Sequence, residues 1–153
     1  MKTPLAHRNL PHLLLRGREA LLCHFRPILT HFNLTEQQWR VIRNLNQHGD
    51  MEPNQLCDLC QILSPSMTGV LARMKAMDLI SRRKVARDQR RVIISLTPRS
   101  QEICARIAPL IDEQYRLIED AIGRDLMDQT YLQIDRLLNA PLDRIRSVKL
   151  PEY

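Results

Sequence analysis

Arg82-Arg83-Lys84-Val85-Ala86-Arg87-Asp88-Gln89-Arg90-Arg91 carries six cations and one anion, so nearly all of the chain's formal excess of +6 sits in one short run. The sequence is patterned on both sides of it. Ser64 to Met77, before the run, reads as a helix with a Ser/Thr-rich start, with Ser64 as its cap and Pro65 in its first turn. After the run, Val92, Ile94 and Leu96 alternate with Ile93 and Ser95 as a strand does. Strands are therefore expected at about Leu79 to Val85 and Arg91 to Leu96, with the cations at the hairpin tip. The bland alternative is a solvated hairpin. The position of the run between a capped helix and a periodic strand favours a tip that faces a polyanion.

Further out the chain reads as helix. The 153 residues contain only four glycines, and the long runs are rich in Leu, Ile, Arg and Gln. A first helix is expected from Leu10 to Phe32, with Leu14, Leu21, Phe25, Ile28 and Phe32 on one stripe and a bend at Pro27. A second starts at the capping box Thr35…Gln38, with Leu34 placed to staple onto Trp39, and ends at Gly49. A short third spans Pro53 to Cys60. The Ser64 helix is the fourth, with Met67, Val70, Leu71, Met74 and Met77 on its inner face. A long fifth helix follows the Thr97 cap, with Pro109 inside it. Gly123 separates it from a sixth, about Asp125 to Ile145, interrupted by Pro141.

The fold class is thus mainly α with one small β-hairpin: a winged helix-turn-helix over 34–97, flanked by long helices at 8–32 and 98–148, in a single domain 1–153. In such a unit the fourth helix lies in the major groove of duplex DNA and the wing tip reaches the adjacent minor groove. The candidate DNA-binding residues are Ser64, Ser66, Met67, Thr68 and Arg73 on the helix, and Arg87, Asp88, Gln89, Arg90 and Arg91 on the wing. Asp88 is expected to hold a neighbouring arginine by a forked salt bridge rather than to touch DNA.

Leu34-Thr35-Glu36-Gln37-Gln38-Trp39-Arg40-Val41-Ile42-Arg43, the helix from Ser64, and Asp88-Gln89-Arg90 ahead of Ile94-Ser95-Leu96-Thr97 resemble the MarR family of bacterial transcriptional regulators. Within it, Phe25-Arg26-Pro27-Ile28, the Asn33 to Arg43 stretch, Pro65-Ser66-Met67-Thr68-Gly69 and the wing motif look closest to repressors of homoprotocatechuate (4-hydroxyphenylacetate) degradation. Lys84-Val85-Ala86-Arg87 departs from that pattern. The resemblance implies a homodimer in which the first, fifth and sixth helices of both chains interlock, each winged unit reading one half of a palindromic operator. It implies release by a small aromatic carboxylate, such as 4-hydroxyphenylacetate or homoprotocatechuate, bound between the dimerisation helices and the winged unit.

Arg18 is the residue of the first helix that most needs a partner, since it falls on the apolar stripe and cannot shed its charge. An effector carboxylate laid against Trp39 and Phe25, with Arg16 and His24 flanking, would satisfy it. So would an acid on another helix, or a side chain that reaches water. The candidate effector residues are therefore Arg18, Arg16, His24, Phe25 and Trp39.

Other classes find less in the sequence. No phosphate-cradling glycine loop, nucleophile elbow or catalytic carboxylate pair is visible, so no enzyme and no cofactor is expected. Cys57-x-x-Cys60 and Cys104 read as small buried apolar residues, and the histidines have no metal-ligand spacing. Cys23 supports an alternative, an oxidation-sensing regulator of the same fold, and a winged protein-interaction module is a third reading. The residues Met1 to Pro11 lack the apolar core of a secretory signal and no run is long enough to span a membrane, so a cytoplasmic location with reduced thiols is expected.

Overall fold

The computed structural model describes residue 3 and residues 5–152; Met1, Lys2 and Pro4 of the stretch read as lacking a signal, and Tyr153, lie outside the described residues. The elements are α1 (Leu10–Leu22), α2 (Arg26–His31), α3 (Glu36–His48), α4 (Pro53–Cys60), α5 (Ser64–Ala76), β1 (Ile80–Val85), β2 (Asp88–Leu96), α6 (Pro98–Ile122) and α7 (Arg124–Leu138), followed by a 3-10 turn at Leu142–Arg144. By contacts the chain divides into two compact units, Met1–Gln114 and Tyr115–Tyr153.

The first expected helix is two helices. Asn9 caps α1 by accepting the His12 amide at 3.0 Å, and the helix stops at Leu22. The ring of Pro27 would clash with the Cys23 carbonyl four residues back and offers it no N–H. The chain therefore turns at Cys23 to Phe25 and restarts with Pro27 in the first turn of α2, where a missing donor costs nothing. The break precedes the proline rather than bending at it.

The reciprocal cap of α3 is present: the Gln38 amide donates to Thr35 Oγ1 at 3.2 Å, and the Thr35 amide to Gln38 Oε1 at 3.0 Å. Gly49, at φ 82°, ends the helix where a side chain would be strained. On α5 the Met67 amide donates to the Leu63 carbonyl at 2.9 Å, which makes Leu63 the cap. Ser64 is instead the first helical residue and makes no side-chain cap.

β1 and β2 form one antiparallel hairpin, and β2 begins at Asp88, three residues earlier than the alternation suggests. The ladder runs from Ile80 opposite Leu96 to Lys84 opposite Val92, then jumps to Val85 opposite Asp88. Gln89, Arg90 and Arg91 fall in this irregularity, which explains why periodicity failed there. Met51 bridges to Ile94 outside the hairpin. The core of the first unit gathers Val41, Ile42, Leu56, Met67, Val70, Met74, Leu79, Ile80, Ile94 and Ile107, each at most 2% exposed. In the second unit Ile118 and Met127 are buried, while Leu117, Leu126, Leu132 and Leu138 are exposed. No helix among the described residues is long and apolar enough to cross a membrane.

Candidate nucleic-acid interface

The apolar positions of α5 decide which of its residues can meet a partner. Met67, Val70, Leu71 and Met74 point into the core, which leaves Ser64, Ser66, Thr68 and Arg73 on the exposed face. Met67, expected among the DNA contacts, is only 1% exposed and is withdrawn from that set. Three- and four-residue spacing puts it on the stripe with Val70, Leu71 and Met74. Gly69 lies beneath the Arg73 guanidinium: a Cβ there would sit 3.4 Å from Arg73 Nη1. Arg73 thus folds back along its own helix. The first turn of α5 holds no acid, so its amide dipoles are uncompensated by side-chain charge.

A small cavity of about 60 Å³ beside the start of α5 is lined by Ser64, Met67, Thr68, Leu71, Pro53, Cys57 and Arg82. Arg82 therefore stands next to Ser64 and Thr68 of α5. It lies in the cationic run, but sequence reasoning reached only the tip of that run; the tight turn between α5 and β1, with Asp78 at φ 56°, sends the start of β1 back along α5 and is the signal that could have found it.

At the wing Arg87, Asp88, Gln89 and Arg90 are exposed. Asp88 does not fork onto a guanidinium: its Oδ1 accepts the backbone N–H of Arg90 at 3.0 Å. That bond across two residues is a local turn, geometrically easier for a short carboxylate than reaching a long side chain. It shapes the tip and presents the Arg90 side chain outward. Arg91 is engaged with Glu52, its Nε 2.6 Å from Glu52 Oε1.

The candidate effector residues do not converge. Arg18 is neither buried nor lacking an anion: its side chain is 45% exposed and its Nη2 lies 3.1 Å from Glu36 Oε2. Of the readings left open for it, the acid on another helix is the one realised. Arg16 and His24 are exposed and Phe25 is buried. Trp39, half-buried, lines a different cavity of about 150 Å³ with Arg43, Asn46, Cys104, Ala108, Ile111 and Asp112. Arg43 was missed, although it follows Trp39 by four residues and so shares its helix face. All four cysteines are free thiols: Cys60 and Cys104 are buried, and burial pushes both up from the ordinary thiol pKa. Cys23 is exposed, with Sγ donating to the Ala20 carbonyl at 3.3 Å. Among the described residues no cluster of three or more His, Cys, Asp or Glu could hold a metal.

Residues 32–91, from the end of α2 through the wing tip, match the family model described as MarR family. The chain is 40% identical over 127 residues to the HTH-type transcriptional regulator FarR of Neisseria gonorrhoeae, covering 83% of this chain and 87% of that one. The chain belongs to the MarR family. It is also 42% identical over 123 residues to the homoprotocatechuate degradative operon repressor of Escherichia coli, over 80% of this chain and 83% of that protein. The narrower likeness read from residues 25–28, 33–43 and 88–90 agrees with this. Among solved structures, NadR in complex with 4-hydroxyphenylacetate superposes with a TM-score of 0.77 at 37% identity, covering 92% of this chain and 99% of that one. The winged helix-turn-helix architecture and the role of transcriptional regulator rather than enzyme follow from membership of this family.

Proposed function

We propose that the chain is a ligand-responsive repressor that acts in the cytoplasm, binds a palindromic operator as a homodimer, and is released by a small aromatic acid. The exposed face of α5 (Ser64, Ser66, Thr68, Arg73) reads the major groove, and Arg87, Gln89 and Arg90 enter the adjacent minor groove. Dimerisation is supported by apolar side chains left uncovered on α1 (Leu10, Leu14, Leu15, Leu21) and on α7.

The observation that carries the ligand response is the cavity shared by Trp39 and Arg43. Its volume of about 150 Å³ is about that of a space that admits one benzene ring. Trp39, Ile111 and Ala108 supply apolar walls and Arg43 a guanidinium for a carboxylate. Arg18, already neutralised by Glu36, takes no direct part. An aromatic acid such as 4-hydroxyphenylacetate or homoprotocatechuate fits this chemistry, and a relative crystallised with 4-hydroxyphenylacetate supports it. A ligand favouring a spacing of the two wings mismatched to successive grooves needs a coupling of only about 1–3 kcal/mol for 5–150-fold release.

The test is a gel shift with the purified protein on DNA upstream of its own gene and the neighbouring genes, with and without hydroxyphenylacetates and dihydroxyphenylacetate. Retarded duplex that is freed by one of these acids supports the reading. Retardation unaffected by all of them removes the aromatic effector.

A further inference from the structure

Three consecutive residues between α3 and α4 hold the wing. The Asp50 carboxylate lies 3.7 Å from Arg83 Nη2 on β1. Met51 exchanges two backbone hydrogen bonds with Ile94 on β2, its amide donating at 3.2 Å and its carbonyl accepting at 2.8 Å. Glu52 Oε1 accepts from Arg91 Nε at 2.6 Å and pairs with Arg91 Nη2 as well.

Glu52 is fixed from its other side too. It is the N-cap of α4: its carbonyl accepts the Leu56 amide at 3.1 Å, and its own amide donates to Gln55 Oε1 at 2.8 Å. Arg91 closes the segment of β2 that has lost its ladder partners on β1. The distal wing therefore has little lateral hold from its sister strand, and the Glu52 pair fastens it to the helix-turn-helix.

We propose that Glu52 is the positioning residue of the wing: by gripping Arg91 it aims Arg87 and Arg90 relative to α5, and Arg91 itself makes no DNA contact. This rests on the DNA-binding reading above and deepens it. Arg91 stands in the cationic run yet serves as a tether, while an acid on the same surface favours the binding of a polyanion.

Simple charge counting and positioning give opposite signs for one substitution. Glu52→Gln removes an acid from a chain of net +6, which by long-range electrostatics tightens DNA binding. Positioning requires it to weaken. The cap bonds of α4 run through the Glu52 backbone and outlast the substitution, and an exposed ion pair contributes little to stability, so the fold survives. Arg91→Gln leaves the cap untouched and tests the same link from the other end.

The experiment measures operator affinity of the full chain by fluorescence anisotropy across a salt series, with hydroxyl-radical footprints for the minor groove and dimethyl sulfate footprints of guanine N7 for the major groove. Each single variant is expected to bind about tenfold more weakly, the loss of one good groove contact. Protection should fade at the minor-groove positions and persist in the major groove, and the double variant should be no weaker than either single. Arg91→Gln should lower the salt slope no more than Glu52→Gln does, because both release the same wing arginines and Arg91 itself touches no phosphate. A Glu52→Gln protein that binds as tightly as the parent or more tightly overturns the proposal. So does an Arg91→Gln slope lower than that of Glu52→Gln by about 0.9, the mark of one phosphate contact made by Arg91 itself. Failure of the parent protein to bind any duplex would instead overturn the DNA-binding reading beneath it.

Discussion

Arg18 donates to Glu36 across 3.1 Å, joining α1 to the first turn of α3. Glu36 also accepts from Arg26 Nε at 2.6 Å, and Arg26 grips Glu19, with Nη2 and Oε2 2.7 Å apart. Four charges on three helices form one chain. The hydrogen bond from Arg26 holds the Glu19 carboxyl below its ordinary value. For Glu36, burial pushes the pKa up, but the hydrogen bonds from Arg26 and Arg18 outweigh it and hold it down.

Both carboxylates have folded-state pKa values depressed from an ordinary glutamate value of about 4.3. Their contribution is then complete above that value and is lost as the pH falls through the lowered one. Urea denaturation should show stability declining from about pH 4.5 downward, with Glu36→Gln giving a shallower acid limb. An acid limb of unchanged steepness in Glu36→Gln would mean the network does not hold in solution.

Met67 separates core from interface. Because it is 1% exposed, Met67→Ala should cost about 2–5 kcal/mol of folding stability by leaving a cavity. Ser66→Ala, on the exposed face, should change stability by less than about 0.5 kcal/mol while altering operator affinity. Thermal unfolding beside DNA titration distinguishes the two.

The order of legibility follows the range of each interaction. The Thr35 and Gln38 cap and the bounds of Pro53–Cys60 are local, three residues or one helix long, and could be read directly. The turn at Cys23 to Phe25 could not, because the stripe through Leu14, Leu21, Phe25, Ile28 and Phe32 keeps a helical period across it. Site partners were the least visible. Glu36 is 18 residues from Arg18, and Glu52 is 39 from Arg91, and no periodicity links such pairs. The cationic wing was conspicuous because its charge is contiguous. Which of its arginines are already paired depended on acids elsewhere in the chain, Asp50 for Arg83 and Glu52 for Arg91.

Thiol reactivity follows burial. Burial raises the pKa of Cys60 and of Cys104, which lowers their thiolate fraction and access. Iodoacetamide at neutral pH should therefore modify exposed Cys23 first and leave Cys60 and Cys104 until the protein unfolds. Peptide mass mapping against time checks the order. The same map after peroxide treatment, compared with DNA binding, shows whether oxidation of Cys23 has any regulatory consequence.

The Trp39 and Arg43 cavity makes its own demand. Arg43→Ala should keep operator affinity within about twofold and weaken 4-hydroxyphenylacetate binding at least tenfold, the loss of a charge-assisted hydrogen bond. Calorimetry with the ligand and anisotropy with the operator measure the two separately. Arg18→Ala should leave ligand binding nearly intact, since that guanidinium is already paired with Glu36.

The central claim is that two copies of this winged unit grip successive turns of one duplex. Hydroxyl-radical footprinting of the operator found by gel shift tests it most directly. The account predicts two symmetric protected half-sites with centres about 10–10.5 base pairs apart, or a multiple of that, each flanked by minor-groove protection from a wing. A single unsymmetrical footprint, or protection confined to the major groove with Arg87 and Arg90 substitutions silent, would contradict it.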